Sequence, residues 1–328
     1  MRYDIGRISK YLLLLSALTL PALLPSVPAQ GQQYPSQNIR FICAFPPGSG
    51  SDILVRYLAE KIRPLTGENI IVENRPGAAG NIAMQHVARS EPNGYTIYIH
   101  AGSSAALSMH LFKNPPVDVP KELTIAATIN RQPYTLFVDA KSPYKTLSEL
   151  TAAMKAKGDK ASYGAPQAVA TIVGELYKVH TGTKAVEVNF KVPTDILPDL
   201  ASGNIDFASA DPVFSLAQAR AGRIRILALT TGSRVNAASE LPTMAEQGVP
   251  MDITGWWAAM VPSGTPKEIV AQINKWFVQV VGSDETKAFL ARYGGDPLIE
   301  TPEQGQSRLI KDIENWGQWV RAAKIEPR

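Results

Sequence analysis

Cysteine is almost absent from this sequence, since Cys43 is the only one in 328 residues. A single cysteine excludes an internal disulfide, so packing and hydrogen bonds alone must hold the fold. Cys43 lies in the apolar run 39–45, where we expect a buried structural thiol. Histidine is scarce as well: none of the four histidines is paired at metal-ligand spacing, so no metal site is predicted.

Sequence motifs of common catalytic sites are also missing. There is no G-x-S-x-G nucleophile elbow, and the segment 48–53 lacks both the P-loop lysine and the third glycine of a dinucleotide fingerprint. We therefore expect no cofactor and no enzymatic activity, although a hydrolase triad assembled from distant segments stays open. The net charge of +4 is small, and no basic run with interleaved aromatics predicts nucleic acid as a partner.

The first 29 residues have the order of a secretory signal peptide. A basic region with Arg2, Arg7 and Lys10 precedes the apolar run 11–24, and residues 27–29 offer a cleavage site. The apolar run is short for a membrane anchor, and prolines interrupt its end. We expect residues 1–29 to be removed on secretion, and no later run is long and apolar enough to cross a bilayer.

After residue 34 the pattern alternates strands, glycine-rich loops and helices. Residues 39–45 predict a buried strand, 46–51 a loop, and the segment from Asp52 to Leu65 an amphipathic helix. A second strand, loop and helix follow over 69–88, and a third strand covers 95–101. This repetition predicts an α/β fold with parallel strands joined by right-handed crossovers.

The pattern restarts in the middle of the chain. Residues 146–149 form a capping box, and strand, loop and helix follow over 161–180. Strands and helices then alternate to about Thr230. Thr265 and Thr301 each precede a proline and a glutamate, which predicts two further helix starts.

The loop 46–51 has features of an anion site. Open α/β sheets bind ligands beyond the carboxyl ends of their strands, where helix N-termini carry unpaired N–H groups and a partial positive charge. Small residues from Gly48 to Ser51 would let an anion approach the backbone, and the hydroxyls of Ser49 and Ser51 would add donors. A plain tight turn before a capped helix has the same residues, so this loop alone leaves both interpretations open.

Longer motifs give the sequence a resemblance to a known family. Residues 45–52 (FPPGSGSD), 72–82 (VENRPGAAGNI) and 92–96 (PNGYT) closely resemble the Bug-type, TctC-like receptors of tripartite tricarboxylate transporters. Shorter matches, including 162–164 and 262–266, extend the resemblance over essentially the whole chain after the signal segment.

The resemblance implies a monomeric, periplasmic Venus-flytrap receptor of type II. Each of its two α/β domains would hold a mixed, mainly parallel sheet, and two crossing strands would form the hinge. The domains would be residues 34–131 plus 254–328 and residues 132–253, a division that the mid-chain restart also favours. Such a receptor captures a small carboxylate in its cleft and delivers it to a membrane permease.

Two other assignments share these features in part. A binding subunit that signals to a sensor kinase would have the same sequence. A LysR-type effector domain has a similar fold, but it would follow a DNA-binding helix-turn-helix and not a signal peptide.

The resemblance and the loop pattern together give a predicted set of ligand-binding residues. The set consists of Phe45, Pro47, Gly48, Ser49, Gly50, Ser51, Asp52, Gly77, Ala78, Gly102, Ser103, Ser104, Ala165, Pro166, Gln167, Ala168, Val169, Ala170, Thr171, Phe190 and Asp211. The segments 45–52 and 165–171 contain no Lys or Arg, so we expect neutral donors and water to hold the carboxylate. The carboxylate of Asp52 should turn inward as a cap on the helix N-terminus.

The sequence departs from the family where the far end of the ligand would lie. The segment 165–171 has lost most of the family's hydroxyls, and Ser209-Ala210-Asp211-Pro212 replaces the usual Asp-Asn pair. We therefore hypothesise a ligand with a less polar far end, such as an aromatic or aliphatic monocarboxylate. The alternative is that water fills this space and a polar acid binds.

Overall fold

The computed structural model describes residues 34–327, so the predicted signal peptide lies outside the described residues. The strands are β1 (Ile39–Cys43), β2 (Ile70–Asn74), β3 (Thr96–Ala101), β4 (Leu123–Pro133), β5 (Thr135–Asp139), β6 (Ser162–Ala165), β7 (Val186–Asn189), β8 (Phe207–Ala210), β9 (Ile224–Leu229), β10 (Thr254–Pro262) and β11 (Asp296–Pro297). The helices are α1 (Gly50–Thr66), α2 (Asn81–Ala88), α3 (Gly102–Leu111), α4 (Val119–Glu122), α5 (Leu147–Lys157), α6 (Ala168–Thr181), α7 (Ile196–Ser202), α8 (Pro212–Arg220), α9 (Lys267–Val281), α10 (Asp284–Arg292) and α11 (Pro302–Ala322).

These elements build two mixed sheets. The first has the strand order β11-β4-β10-β3-β1-β2, and the second has the order β7-β6-β8-β5-β9. Parallel pairing joins β1 to β2 and β3, and β6 to β7 and β8. The other pairs are antiparallel, because β4, β5, β9 and β10 belong to the segments that lead the chain from one sheet to the other and back.

The chain passes between the sheets at two places. Only Tyr134 separates β4 from β5, and the return follows β9 and enters β10 at Thr254. Strand β4 runs to Pro133, where it pairs with Thr254, and so extends past the predicted boundary at Arg131. The division of the chain into two domains at these boundaries stays a prediction.

Apolar packing against both sheets stabilises the fold. On one face of the first sheet, α1 and α9 bury their apolar sides, and Phe41 stacks on Phe277 with ring centroids 5.9 Å apart. Each fully buried side chain of this size contributes roughly 1.5–3 kcal/mol through the hydrophobic effect. Cys43 is fully buried in the same cluster, as expected for a structural thiol.

Helix boundaries follow most of the sequence signals. Thr146 and Thr301 form the predicted capping boxes at the starts of α5 and α11. The helix start predicted near Thr265 is present as the start of α9, but Thr265 does not cap it: its hydroxyl donates to the carbonyl oxygen of Pro262 at 2.7 Å, and extended Pro266 precedes the first helical residue. No helix in the described part of the chain is long and apolar enough to span a membrane.

Candidate ligand-binding site

A cavity of about 350 Å³ is lined by residues of the first sheet and its helices and by residues that follow strands of the second sheet. Its wall combines aromatic and aliphatic side chains with hydroxyls and side-chain amides, a mixture typical of small-molecule sites. Among residues 34–327, no Lys, Arg or His lines this cavity. The cavity therefore has no basic side chain with which to bind an anion.

Part of the predicted set lines the cavity, namely Phe45, Ser49, Gly50, Ser51, Ser104, Gln167 and Asp211. The lining residues that sequence reasoning did not single out are Leu54, Ala101, Asn130, Gln132, Tyr134, Pro193, Val213, Phe214, Trp257, Leu290 and Tyr293. The predicted residues outside the lining are Pro47, Gly48, Asp52, Gly77, Ala78, Gly102, Ser103, Ala165, Pro166, Ala168, Val169, Ala170, Thr171 and Phe190.

The fold explains why several of these predicted residues lie outside the cavity lining. Gly77 and Ala78 follow β2, the edge strand of the first sheet, so their loop is displaced from the sheet centre and exposed. Helix α6 begins at Ala168, which turns Val169 into the core, while the hydroxyl of Thr171 donates to the Glu187 carboxylate at 2.5 Å. Phe190 packs among the apolar residues of the second sheet.

Four helices begin at the cavity. The lining includes Gly50 and Ser51 of α1, Ser104 of α3, Gln167 directly before α6, and Val213 of α8. Each helix N-terminus carries a partial positive charge from its unpaired N–H groups. Four such termini around one cavity favour an anionic group even though no basic side chain is present.

The first turn of α1 leaves two backbone donors unpaired. Ser49 is the N-cap, and its Oγ accepts from the Asp52 N–H at 3.2 Å while donating to the Pro46 carbonyl oxygen at 2.8 Å. The N–H groups of Gly50 and Ser51 have no hydrogen-bond partner within residues 34–327, and neither does the Ser51 hydroxyl. These three donors lie where the cavity meets the helix N-terminus.

The Asp52 carboxylate is turned inward, away from the cavity, but it does not cap α1 as predicted, because Ser49 is the N-cap. Its Oδ2 accepts from the Gly48 N–H at 2.8 Å and from Arg56 Nε at 2.9 Å, and its Oδ1 accepts from Asn74 Nδ2 at 2.7 Å. Burial acts to raise the pKa of Asp52, but the hydrogen bonds from Arg56, Asn74 and Gly48 outweigh it and hold the pKa below its usual value. Because Gly48 is used in this way, its N–H group is not available to a ligand.

Asp211 lines the opposite side of the cavity. It is the N-cap of α8, and its Oδ1 accepts from the Phe214 N–H at 3.0 Å. Removal from water raises the pKa of Asp211, although nearby backbone N–H groups and the side chain of Gln167 act to lower it. Within the described part of the chain, no cationic side chain lines the cavity opposite Asp211.

The strand that leaves the first sheet adds side-chain amides. Asn130 and Gln132 lie on β4 and line the cavity, with Asn130 only 2% exposed. Asn130 Nδ2 donates to Gln132 Oε1 at 3.3 Å, while Asn130 Oδ1 has no partner within residues 34–327. This oxygen lies close to the crossing between the sheets and is shielded from solvent.

Aromatic side chains form much of the remaining wall. Phe45 packs against Trp257 with ring centroids 5.7 Å apart, and Phe214 lies 6.2 Å from Phe137 behind it. Such surfaces bury the apolar part of a ligand and fix its orientation.

The two sides of the cavity touch each other directly. A Cβ atom added at Gly50 of α1 would lie 3.0 Å from Val213 Cγ1 of α8, so the two helix N-termini are in close contact. The Asp296 carboxylate, on strand β11 of the first sheet, accepts from the N–H groups of Asn236 and Ala237, at 2.9 and 3.1 Å. These contacts join the two sides of the cavity.

Known proteins resemble this chain over most of its length. It is 28% identical to "Protein BugT" of Bordetella pertussis over 300 residues, which cover 90% of this chain and 92% of the relative. It is 30% identical over 316 residues to a UPF0065 protein of Bordetella bronchiseptica, with 94% and 93% covered.

Solved structures show the same fold. The R. palustris protein Rpa4515 with adipate superposes with a TM-score of 0.80 at 29% identity, covering 90% of this chain and all of that one. The periplasmic binding protein BugD superposes with a TM-score of 0.76 at 25% identity, covering 90% and 100%. The chain therefore has the α/β architecture of the two-domain periplasmic binding proteins, with a mixed sheet on each side of the cleft.

Residues 54–325 match a family model that is described as "Tripartite tricarboxylate transporter family receptor". This match covers far more than half of the chain and includes the elements on both sides of the cavity. The chain thus belongs to the tripartite tricarboxylate transporter receptor family.

Proposed function

We propose that this protein is a periplasmic receptor that captures a small carboxylate in the cavity and delivers it to the permease of a tripartite transporter. One observation carries the proposal: helix N-termini surround a cavity that contains unpaired Gly50 and Ser51 N–H groups and, among residues 34–327, no basic side chain. Neutral donors of this kind suit a carboxylate that must bind tightly and later be released.

The strength of these donors is sufficient for a transport receptor. A hydrogen bond from a neutral donor to a charged acceptor contributes roughly 1.5–3 kcal/mol. The N–H groups of Gly50 and Ser51 and the hydroxyls of Ser51 and Ser104 provide four such donors. Micromolar affinity corresponds to about 8 kcal/mol, which a few of these bonds together with apolar burial supply.

The composition of the wall supports an acid that carries one charge and has an apolar part. Phe45, Phe214 and Trp257 offer aromatic surface, and a second carboxylate on the ligand would lie close to the Asp211 carboxylate without a basic partner. We therefore propose aromatic or aliphatic monocarboxylates before citrate. The adipate present with the similar protein Rpa4515 supports the general class of carboxylates.

We also propose that the protein has no catalytic role. A receptor returns its ligand unchanged, and the cavity lining, within residues 34–327, contains hydroxyls and amides without a histidine beside them. We also propose that residues 34–131 plus 254–328 and residues 132–253 are its two domains, which is supported by their separate sheets.

The proposal is tested by a thermal-shift screen of the purified protein without residues 1–29 against a carboxylate panel, followed by titration calorimetry. We expect an aromatic or aliphatic monocarboxylate to stabilise the protein, by about 2.7 kcal/mol at a hundred times its dissociation constant. The recovered ligand should be chemically unchanged. If no carboxylate stabilises the protein, or if the ligand is turned over, the proposal fails.

A further inference from the structure

Helix α3 brings Ser104 to the ligand cavity without a capping side chain of its own. Its N-cap residue is Ala101, whose methyl group cannot accept a hydrogen bond. A donor is useful to a ligand only if it is held in place, because a hydrogen bond weakens steeply once its distance or angle changes. Contacts from other elements must therefore position the start of α3.

Trp256 of β10 provides such a contact. Its six-membered ring lies directly against Gly102, the first residue of α3, and a Cβ atom added at Gly102 would overlap that ring. The Trp256 side chain is fully buried on the face of the sheet that α3 covers, whereas the next residue, Trp257, packs on the opposite face and lines the cavity. Trp256 thus supports the start of α3 from behind the cavity wall.

A hydrogen bond fixes the orientation of the Trp256 ring. Its Nε1 donates to Asp312 Oδ2 of α11 at 2.8 Å. The same helix also holds the other end of α3, where His110 Nε2 forms a hydrogen bond of 2.6 Å with the Ile313 carbonyl oxygen. Adjacent residues of α11 therefore anchor both ends of α3, one directly and the other through Trp256.

The Asp312 anchor lies beside the segment by which the chain returns to the first sheet. Asp312 lines a second, polar cavity of about 380 Å³ together with Asp252 and Thr254 of that segment. Asp252 Oδ1 accepts from the Gly232 N–H at 2.8 Å and from the Thr254 hydroxyl at 3.1 Å. Neither Trp256 nor Asp312 lines the ligand cavity, so any effect of theirs on a ligand must pass through other residues.

We infer that Trp256 and Asp312 are positioning residues for ligand binding: the indole ring, held by the Asp312 carboxylate, keeps the start of α3 where Ser104 can donate to a bound carboxylate. This inference rests on the proposed function and extends its site to two residues outside the cavity lining. Without the hydrogen bond the ring is free to shift, and the start of α3 shifts with it.

Titration calorimetry tests this inference with the tightest acid from the carboxylate screen, whose panel includes benzoate, hydrocinnamate, adipate and malate. Trp256→Phe keeps a buried ring without the N–H donor, and Asp312→Leu removes the acceptor at similar size. We expect each to weaken binding at least about fivefold, a part of the tenfold or more that complete loss of a hydrogen bond to a charged group would cause. Because both changes break the same bond, the double variant should bind about as weakly as the single variants.

Asp312→Asn is the conservative control. It keeps an oxygen that accepts from the Trp256 indole while it removes the charge. Its affinity should stay within about threefold of that of the original protein. A loss as large as in Asp312→Leu would overturn the inference, because the hydrogen bond is then not what matters.

Ser104→Ala separates positioning from a general weakening of the fold. If Trp256 and Asp312 act through Ser104, changing them should cause little further loss of affinity once the Ser104 hydroxyl is absent. A purely structural role predicts the same fold-loss with and without that hydroxyl. Melting curves check that each variant folds, and Trp256→Phe carries the comparison if Asp312→Leu does not fold.

The outcomes separate this inference from the proposed function. Unchanged affinity in Trp256→Phe and Asp312→Leu overturns the inference and leaves carboxylate capture intact. An equal loss in the presence and absence of the Ser104 hydroxyl has the same consequence. Failure of the unaltered protein to bind any carboxylate overturns the proposed function and this inference with it.

Discussion

The residues around Ser49 bind the Asp52 carboxylate apart from the N–H groups proposed to bind a ligand carboxylate. The two carboxylates therefore do not compete for the N-terminus of α1. Asp52 is buried with its charge compensated by Arg56, Asn74 and the Gly48 N–H. The next N–H groups, those of Gly50 and Ser51, are left for a ligand. Gly48 has φ of +79°, a left-handed conformation that glycine adopts readily and that brings its N–H group to Asp52.

A negative charge at Ser49 should strongly weaken carboxylate binding. Ser49→Asp keeps an N-cap residue but places an anion beside the Gly50 and Ser51 N–H groups. Two like charges about 5 Å apart repel by about 3 kcal/mol at an effective dielectric constant of about 20, so affinity should fall roughly a hundredfold. Titration calorimetry measures this loss.

Ser49→Asn is the matched control for this variant. It has the same shape and capping ability without the charge, and it should bind within about tenfold of the original protein. Equal affinities of the Asp and Asn variants would mean that the anion does not lie at this turn.

Asp52 should stabilise the fold in a pH-dependent way. Asp52→Asn leaves at least one donor without its acceptor and should lower the free energy of unfolding by about 1–3 kcal/mol at neutral pH. Because its pKa is lower in the folded protein, this stabilisation is full above the usual pKa of about 3.9 and is lost as pH falls through the folded value.

Urea denaturation of the two proteins at pH 7 and at about pH 3 tests this prediction. The difference between them should shrink at the lower pH. Asp159→Asn, at an exposed position, is the control and should leave the unfolding free energy unchanged at both. A constant difference for Asp52→Asn at both pH values would contradict the account.

At the scale of elements, the sequence predicted the helix starts better than the crossing strands. Helix α1, predicted from Asp52, begins at Gly50 with Ser49 as its cap, and α8, predicted as a helix after the strand at 205–208, begins at Pro212 with Asp211 as its cap. Strand β4 was not predicted. Its mainly apolar first part is followed, near the end of the strand, by Asn130, Arg131 and Gln132. The polar residues at alternate positions near the end of this strand indicate that one of its sides forms part of the cavity wall.

Other parts of the site depend on contacts that local patterns do not encode. Leu290 and Tyr293 reach the cavity from the end of α10, far along the chain from the loops of the first sheet. Gly77 and Ala78 follow an edge strand and lie outside the cavity lining, so their predicted role in ligand binding stays a prediction. The position of each loop and helix end depends on the order of the strands in the whole sheet, which local sequence patterns do not reveal.

The contact between α1 and α8 should be sensitive to one methyl group. Gly50→Ala adds a Cβ atom 3.0 Å from Val213 Cγ1, which is tighter than most such contacts. Overpacking of this kind costs about 1 kcal/mol or more, so ligand affinity should fall roughly fivefold while the unliganded protein stays as stable. Calorimetry and thermal melting measure these two effects.

A double variant provides the control. Val213→Ala removes the opposing methyl groups, so Gly50→Ala combined with Val213→Ala should bind more tightly than the product of the single effects predicts. Strictly additive effects, or unchanged affinity in Gly50→Ala, would show that the two helices do not need to touch for binding.

For the whole molecule, the account predicts closure upon ligand binding. Two polypeptide crossings join the sheets, and the cavity draws its wall from both. A ligand favours the closed state only through contacts that the open state lacks. Small-angle scattering should therefore show a smaller radius of gyration once the ligand from the screen is added. An unchanged profile with a tightly bound ligand would contradict the hinge.

A crystal structure with the tightest carboxylate from the screen would show whether the ligand carboxylate binds at the N-terminus of α1. The account predicts the ligand carboxylate within about 2.7–3.2 Å of the Gly50 and Ser51 nitrogens, with its apolar part against Phe45, Phe214 or Trp257. A carboxylate bound elsewhere on the molecule, or an uncharged part of the ligand at the start of α1, would contradict it.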